Sequence, residues 1–180
     1  MPLAELAHVL AFGVLASHLA LGAMLILIAI PHTRRPTLAA VGTHALLLAF
    51  LTGLFATALS LFYSEIAGFQ PCTICWYQRI FMYPQVILLG VALVKKEDVI
   101  LDYALSLASA GTLFSLYHNY IYYGGASLFP CTAFGLGVSC VRRYVWELGY
   151  ITIPLMSLTS FLLLIFFLAS RRYIKKKSLL

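Results

Sequence analysis

Five long apolar stretches run along the chain, separated by short polar or basic segments. They cover residues 6–30, 39–62, 76–94, 99–121 and 148–169. Each is continuously apolar, without the strict alternation of a strand, and approaches the roughly 20 residues that a helix needs to cross a bilayer. A helix also satisfies its own backbone hydrogen bonds, which lipid cannot do. The pattern therefore predicts an all-α integral membrane protein with five transmembrane helices.

Short segments separate these stretches. A segment with proline and arginine, 31–36, divides the first from the second, and 68–72, with glycine and proline, divides the second from the third. Charged residues at 95–98 predict a tight turn before the fourth stretch. Residues 124–147 form the one long loop. Basic and apolar residues alternate at helical spacing over 141–148, which predicts a short helix on the membrane interface.

The first stretch has the features of a retained span. It begins MPLAE, without a basic residue, and no clear small-residue cleavage site follows it. Its apolar run is also longer than that of an ordinary signal peptide. A cleaved signal peptide or a re-entrant segment is the alternative interpretation.

Composition excludes several classes of protein. Of the 180 residues, 62% are hydrophobic and 10% are charged, against about 25% charged in ordinary soluble domains. The mean hydropathy is +0.95. A soluble globule could not cover such a chain with polar surface. Disordered, collagen-like and nucleic-acid-binding proteins are excluded for the same reason, despite the net charge of +6.

The basic residues predict the orientation in the membrane. If the spans alternate, nine of the 12 Lys and Arg residues share one side. These are Arg34, Arg35, Lys95, Lys96, Arg171, Arg172, Lys175, Lys176 and Lys177. Basic residues collect on the cytoplasmic side, so we expect the amino terminus outside and the carboxyl terminus inside. All four cysteines then lie outside, where disulfides persist.

The first cysteine pair, Cys72 and Cys75, lies where the outer loop meets the third stretch. Pro71 suits the start of a helix, and the amino end of a helix stabilises a thiolate. Arg79 follows Cys75 by four residues and therefore shares its helical face. It could stabilise a Cys75 thiolate or a quinone carbonyl, pair with Glu65, or simply reach the interface.

The second pair, Cys131 and Cys140, encloses eight residues, two of them glycines. A disulfide here would close a short exposed loop that an attacking thiolate can reach. Taken alone, it is typical of a structural staple. With the first pair it predicts a redox relay, in which one disulfide meets a soluble dithiol and the other meets an electron acceptor. The membrane offers such an acceptor in quinone, which is lipid-soluble and takes two electrons.

Several motifs are shared with a known membrane family. The segment from Cys72 to Pro84 reads CTICWYQRIFMYP. Further matches are YSE at 63–65, YHNY at 117–120, and Cys140 followed by ITIPLMS from residue 151. With these motifs the chain resembles the DsbB family of disulfide bond formation proteins, in the short form of Gram-positive bacteria. The family's four-helix transmembrane bundle maps onto the second to fifth stretches.

The resemblance implies an enzyme, a quinone-dependent protein-disulfide oxidoreductase. A reduced thioredoxin-fold oxidase of the DsbA kind would attack a Cys131–Cys140 disulfide, with Cys131 forming the mixed disulfide. Cys140 would then exchange with Cys72, which frees Cys75 beside the quinone. The quinone would be ubiquinone or menaquinone, and the quinol would deliver its electrons to the respiratory chain.

The resemblance also implies two quinone-binding residues, Arg79 and His118. His118 lies toward the outer end of the fourth stretch, where it could equally hydrogen-bond another helix. The expected surroundings are the lipid of a bacterial plasma membrane, and neither a metal nor a nucleic acid is expected as a ligand.

Two features depart from the family pattern. Residues 1–38 have no counterpart, so we expect an extra transmembrane helix with a cytoplasmic turn. A DsbB-like four-helix redox core at 39–170 and a basic cytoplasmic tail at 171–180 would follow. The second cysteine loop is also much shorter than in the enteric members, which bears on how far Cys131 can move from Cys140.

Three alternatives remain open from the sequence. A vitamin K epoxide reductase-like protein shares the cysteine chemistry, although there the loop cysteines precede the Cys-x-x-Cys motif. A non-enzymatic membrane protein could bind a metal through four thiolates, although the eight-residue gap fits zinc spacings poorly. A passive scaffold with one structural disulfide is the third alternative.

Overall fold

The protein is built from long helices. The computed structural model describes residues 3–126 and 139–178. Its helices are α1 (Leu3–Ala29), α2 (Pro31–Leu61), α3 (Thr73–Lys95), α4 (Ile100–Tyr122) and α5 (Ile153–Ser178), and a π-helical turn, Phe62–Ile66, extends α2. All five long helices are long and apolar enough to cross a membrane. The predicted all-α membrane protein is confirmed.

Helices α2 to α5 form a four-helix bundle, and α1 lies outside it. Both α2 and α4 pack against α3 and α5, so the bundle closes on itself. The additional helix α1 contacts α2 and α5. Small side chains let the helices approach closely, which matters because lipid provides no hydrophobic drive for their association. The fully buried members of the core are Ala45, Ala49, Leu89, Ala92, Ala104, Ala108, Phe161, Leu164 and Leu168.

Three helix starts differ from the prediction. Helix α5 begins at Ile153 and not at 148, because residues 148–150 form a turn. The segment 31–36 is helical, and only Ile30 separates α1 from α2. Pro31 begins α2 without cost, because the first residue of a helix needs no partner for its N–H. Likewise α3 begins at Thr73 and not at 76, so Cys75 lies inside its first turn.

The basic residues after the last apolar stretch continue α5 as far as Ser178. Asp98, in the turn between α3 and α4, holds this extension: its carboxylate oxygens lie 3.1 Å from Arg171 Nε and 3.3 Å from Lys175 Nζ. The turn at 95–98 and the basic end of α5 are therefore at the same end of the bundle, as alternating spans require.

Residues 139–152 lie over the opposite end of the bundle, and we call them the outer cap. The predicted interfacial helix at 141–148 is wrong, because this segment is irregular, with turns, one bend and one isolated backbone bridge. Its aromatic anchoring is nevertheless found. The Arg143 guanidinium lies 4.6 Å from the centroid of the Trp146 ring, and that ring lies parallel to Tyr122 at the end of α4.

A tight turn explains why the outer cap is not helical. Leu148 and Gly149 have φ angles of 50° and 78°, in the left-handed region that a right-handed helix excludes. The flanking residues Glu147 and Ile151 then pair their backbones through two N–H to O=C hydrogen bonds, with N to O distances of 2.9 and 2.8 Å. This is the hairpin geometry that two positive φ angles produce.

Helix packing generates a first prediction at Gly111 in α4. A Cβ atom there would overlap the ring of the buried Phe161 of α5. We expect Gly111→Ala to destabilise the bundle by about 1–3 kcal/mol, the usual cost of overpacking. The thermal unfolding midpoint in detergent measures this. Gly22→Ala in α1, where nothing lies within 4 Å of the added Cβ, is the matched control and should not lower the midpoint.

Candidate functional site

The first cysteine pair caps the amino end of α3. Cys72 is the N-cap residue, with extended backbone angles (φ −76°, ψ 172°), and its Sγ accepts a hydrogen bond from the Cys75 backbone N–H at 3.4 Å. Both thiols are free, and their Sγ atoms lie 2.8 Å apart. Cys72 is only 3% exposed. The pair therefore sits at a helix amino end, as the sequence indicated, but within the protein interior.

This position favours the ionised form of Cys72. A hydrogen bond from the Cys75 thiol, aided by the nearby His118, lowers the pKa of Cys72 to about 4 and outweighs the opposing effect of burial. A stabilised thiolate is the reactive form in disulfide exchange. The arrangement can therefore perform thiol chemistry at neutral pH.

His118 lies between the two cysteine-bearing segments. Its Nε2 is 3.9 Å from Cys72 Sγ and 3.2 Å from the backbone carbonyl oxygen of Cys140. Its Nδ1 is 3.3 Å from the side-chain amide of Gln78, one helical turn after Cys75. Both side chains are buried, His118 at 2% and Gln78 at 7% exposure. One ring thus contacts the first pair, the outer cap and α3.

The structure brings Cys140 to the first pair. Cys140 is disulfide-bonded and 3% exposed, and it packs in one buried cluster with Cys72, Ile74 and Ile121. Cys131 lies outside the described residues, so its predicted pairing with Cys140 stays a prediction. The outer cap therefore carries a cysteine of the second pair to the amino end of α3.

Arg79 does not pair with Glu65. Its Nε donates to Ser60 Oγ and its Nη2 to the Ser60 carbonyl oxygen, both at 3.1 Å, and its guanidinium lies 5.1 Å from the Trp76 ring centroid. Glu65 is exposed and accepts from Ser64 instead. Two of the five N–H groups of Arg79 thus orient it toward the end of α2, which leaves three for other partners.

A cavity of about 140 Å³ joins these residues. It lies between the bundle and the outer cap, and its wall is largely apolar and aromatic. The polar and sulfur-containing members of its lining include Ser60, Cys72, Cys75, Gln78, Arg79, His118 and Cys140. A cavity of about 150 Å³ in another protein holds a benzene ring, so this one has room for a single six-membered ring.

The structure also bears on the metal alternative. Ligand atoms of Cys72, Cys75 and His118 lie within 4.8 Å of one another. This set is not the four-thiolate site considered from the sequence, because Cys140 is disulfide-bonded. The two sulfurs are 2.8 Å apart, whereas two thiolates with 2.3 Å bonds to a tetrahedral zinc ion would be about 3.8 Å apart. The spacing favours a thiol pair over a metal centre.

Sequence reasoning missed Gln78, Ser60 and Tyr144. Gln78 has a signal, since an amide inside an apolar span needs a protein partner. Ser60 and Tyr144 have none, because their contacts, with Arg79 and with the stacked ring of Phe69 at 4.5 Å, depend on how distant segments pack.

Comparisons with known proteins agree with this site. The model of the family described as disulfide bond formation protein DsbB matches residues 42–170. The chain is 44% identical over 119 residues to "Probable disulfide formation protein C 1" of Bacillus anthracis, covering 66% of this chain and 85% of that protein. It is 42% identical over 134 residues to "SPbeta prophage-derived disulfide bond formation protein B" of Bacillus subtilis, covering 74% and 88%.

A third relative is "Disulfide bond formation protein C" of Bacillus subtilis, 38% identical over 122 residues, which covers 66% of this chain and 86% of that protein. No solved structure matches the chain significantly. The family match covers well over half of the chain and includes all the cysteines and the cavity-lining residues named above. The chain therefore belongs to the DsbB family, and it is a multi-pass membrane oxidoreductase that forms disulfide bonds.

Proposed function

We propose that the chain reoxidises a DsbA-like thioredoxin-fold oxidase outside the cytoplasm and passes the electrons to a membrane quinone. One observation carries this proposal. Cys72, a free thiol, and Cys140, which is disulfide-bonded, belong to the same buried cluster. The two residues are far apart in the chain, and a relay requires that their sulfurs can exchange.

The proposed relay begins at the second pair. A thiolate of the reduced partner attacks Cys131 and breaks a Cys131–Cys140 disulfide, which releases Cys140 as a thiolate. Cys140 then attacks Cys72, so the Cys72–Cys140 bond forms, the Cys72–Cys75 bond breaks, and Cys75 leaves with the electron pair. Resolution of the mixed disulfides leaves the partner oxidised and the first pair reduced. Two electrons and two protons have then moved from the partner to Cys72 and Cys75.

His118 is placed to assist this exchange. With the Gln78 amide donating to Nδ1, the ring proton resides on Nε2, which faces both the Cys140 carbonyl oxygen and Cys72 Sγ. The ring can then stabilise negative charge on Cys72 and hold the backbone of Cys140 within reach. His118 also lines the cavity, so this role is compatible with the expected contact to the quinone.

The cavity fits the ring of a quinone. Its volume suffices for one six-membered ring, its wall is largely apolar, and Arg79 with three further N–H groups forms part of that wall. The single ring of ubiquinone matches this volume, whereas menaquinone, with two fused rings, would have to extend beyond it. Either quinone would supply a two-electron, two-proton acceptor for the reduced first pair. Cys75 and Arg79 line the same cavity, so both would lie beside it.

The environment of Cys72 favours electron flow toward the first pair. Stabilising the thiolate stabilises the reduced state, and a pair whose reduced state is stabilised is a stronger oxidant. The first pair would therefore withdraw electrons from Cys140 and pass them on only to an acceptor of higher potential.

The proposed setting is the plasma membrane of a bacterium, with quinol returning electrons to the respiratory chain. The basic end of the bundle, with Arg171 and Lys175, would face the cytoplasm and its anionic lipid. The outer cap, the cysteines and the amino terminus would then lie outside. The division into a helix at 1–38, a redox core at 39–170 and a tail at 171–180 is part of the same proposal.

The central prediction concerns quinone reduction by the purified protein in detergent. Given a reduced thioredoxin-like dithiol protein, we expect it to reduce a ubiquinone or menaquinone analogue, as followed by quinone absorbance. Cys75→Ser and Cys131→Ser should each abolish this activity, because each removes one sulfur of the relay. Ser106→Ala is the control and should keep full activity, because Ser106 is exposed and lies in the part of α4 near the basic end of the bundle. Activity that persists in both cysteine variants would contradict the proposal.

Another prediction concerns the pH at which the Cys72 thiol ionises. In a Cys131→Ser/Cys140→Ser variant, where only the first pair remains, thiolate absorbance of the reduced protein should titrate with a pKa of about 4. The lowered pKa means that the thiolate persists at neutral pH and is lost only as the pH falls toward that value. Adding Cys75→Ala removes the hydrogen-bond donor and should move the midpoint toward the ordinary value of about 8.5. Equal midpoints in the two proteins would show that Cys75 does not stabilise the thiolate.

The last prediction of this section concerns the effect of Arg79 on quinone reduction. Arg79→Ala should lower kcat/KM for the quinone about ten- to a hundredfold, the effect of losing a hydrogen bond from a charged group. Arg79→Lys keeps the charge but not the fork of N–H groups, so its loss should be smaller. Arg35→Ala, at the basic end, is the control. An unchanged kcat/KM in Arg79→Ala would remove Arg79 from the quinone site.

A further inference from the structure

The relay described above does not use α1. The family model matches residues 42–170, so α1 lies wholly outside the matched region. Little of α1 is buried, yet the outer half of the helix packs against other segments. Those contacts are with the outer cap.

Apolar contacts join the beginning of α1 to the outer cap. Ala7 and Ala11, one helical turn apart, are 7% and 0% exposed. They belong to one buried cluster with Val145 and Ile151 of the outer cap, together with Tyr63 at the end of α2. Two alanines on one helical face permit close approach, so the cap can pack closely against α1.

A polar contact lies beside these alanines. His8 Nδ1 is 2.8 Å from Glu147 Oε2, and the Glu147 side chain is only 17% exposed. Glu147 is also the residue whose backbone pairs with Ile151 to form the tight turn. His8 therefore contacts the residue whose backbone hydrogen bonds close the turn.

Further along α1, His18 makes a second connection. Its Nε2 lies 2.7 Å from Thr159 Oγ1 of α5, and its Nδ1 lies 3.4 Å from the Tyr150 hydroxyl of the outer cap. The backbone carbonyl oxygen of Tyr150 accepts in turn from the Tyr123 hydroxyl at the end of α4, at 2.9 Å. The tight turn is thus held from both sides, by α1 and by the bundle.

The outer cap connects the tight turn with Cys140, which lies beside the first pair. Cys140 stands at its beginning, and the tight turn stands near its end. Between them, Tyr144 stacks on Phe69, in the segment that leads to Cys72. The carbonyl oxygen of Cys140 contacts His118 Nε2 of the bundle at 3.2 Å. Cys140 belongs to the same continuous cap segment as the tight turn, so the contacts that hold the turn also bear on the position of Cys140 beside Cys72.

We propose that α1 is a positioning element for the exchange between Cys140 and Cys72. His8 is the positioning residue, and it acts through Glu147 and the tight turn of the outer cap. The inference rests on the proposed relay and assigns a role to a helix that the matched family region does not contain.

The test measures how closely Cys140 is held to Cys72, without quinone or partner. In a Cys75→Ser/Cys131→Ser background only these two cysteines remain. Their disulfide is equilibrated against a glutathione buffer in the purified full-length protein, and the effective concentration is read by mass spectrometry. We expect His8→Leu to lower the effective concentration about two- to fivefold, the size of effect that a partly exposed polar contact with a carboxylate supports.

Three further variants sharpen the experiment. His8→Lys keeps a hydrogen-bond donor for the Glu147 carboxylate and should restore most of the effective concentration. Ala11→Leu places a large side chain where Ala11 is fully buried, and should lower it at least as much as His8→Leu. His32→Leu changes an exposed histidine at the start of α2, at the other end of α1, and should have no effect.

An unchanged effective concentration in both His8→Leu and Ala11→Leu would overturn the inference, as would an equal decrease in His32→Leu. Failure of the relay looks different. If the natural protein does not reduce quinone from a protein dithiol but His8→Leu still lowers the effective concentration, the positioning role stands and the proposed acceptor is wrong.

Discussion

The contact between the His118 ring and the Cys140 backbone connects the two halves of this protein. On one side stands a bundle whose α3 begins at Cys72, and on the other an outer cap with almost no regular secondary structure. A cap of turns has little stability of its own, because its backbone forms few internal hydrogen bonds. It is held by side chains that reach it from helices, and the His118 contact is the one closest to the cysteines.

Polar side chains within the bundle fall into two groups with different consequences. Some bond to helix backbones and do not line the cavity. Gln85 donates to the Ala104 carbonyl oxygen, and Asn119 donates to those of Ser115 and Pro154. Others, such as Gln78 and Arg79, line the cavity. In lipid every such group needs a protein partner. A polar residue at a cavity wall therefore has both a structural partner and a surface that a ligand can use.

Arg79 illustrates this double role. Ser60 and the Trp76 ring hold the guanidinium, so it does not depend on a carboxylate partner. An ion pair with Glu65 would have neutralised the cation and reduced its ability to attract an electron-rich oxygen. Bonding to a neutral hydroxyl and a carbonyl oxygen orients the group and preserves its charge. The same principle places the neutral amide of Gln78, and not a carboxylate, beside His118.

The sequence by itself determined the five helices, and the resemblance that its motifs carry implied the four-helix bundle. Apolar runs of this length have one stable form in lipid, and the spacing of Cys72, Cys75 and Arg79 follows from the helical repeat. It misplaced the boundary at Pro31 and wrongly predicted a helix at 141–148. Local periodicity does not reveal that Leu148 and Gly149 adopt left-handed angles.

Only the tertiary structure decided which groups meet. His118 and Cys140, like His8 and Glu147, come from segments whose separation in the chain says nothing about distance. Such contacts depend on how helices rotate and pack, and that is set by many small apolar contacts at once, such as those around Gly111 and Phe161. Periodicity fixes the face on which a residue lies, and packing chooses its neighbour.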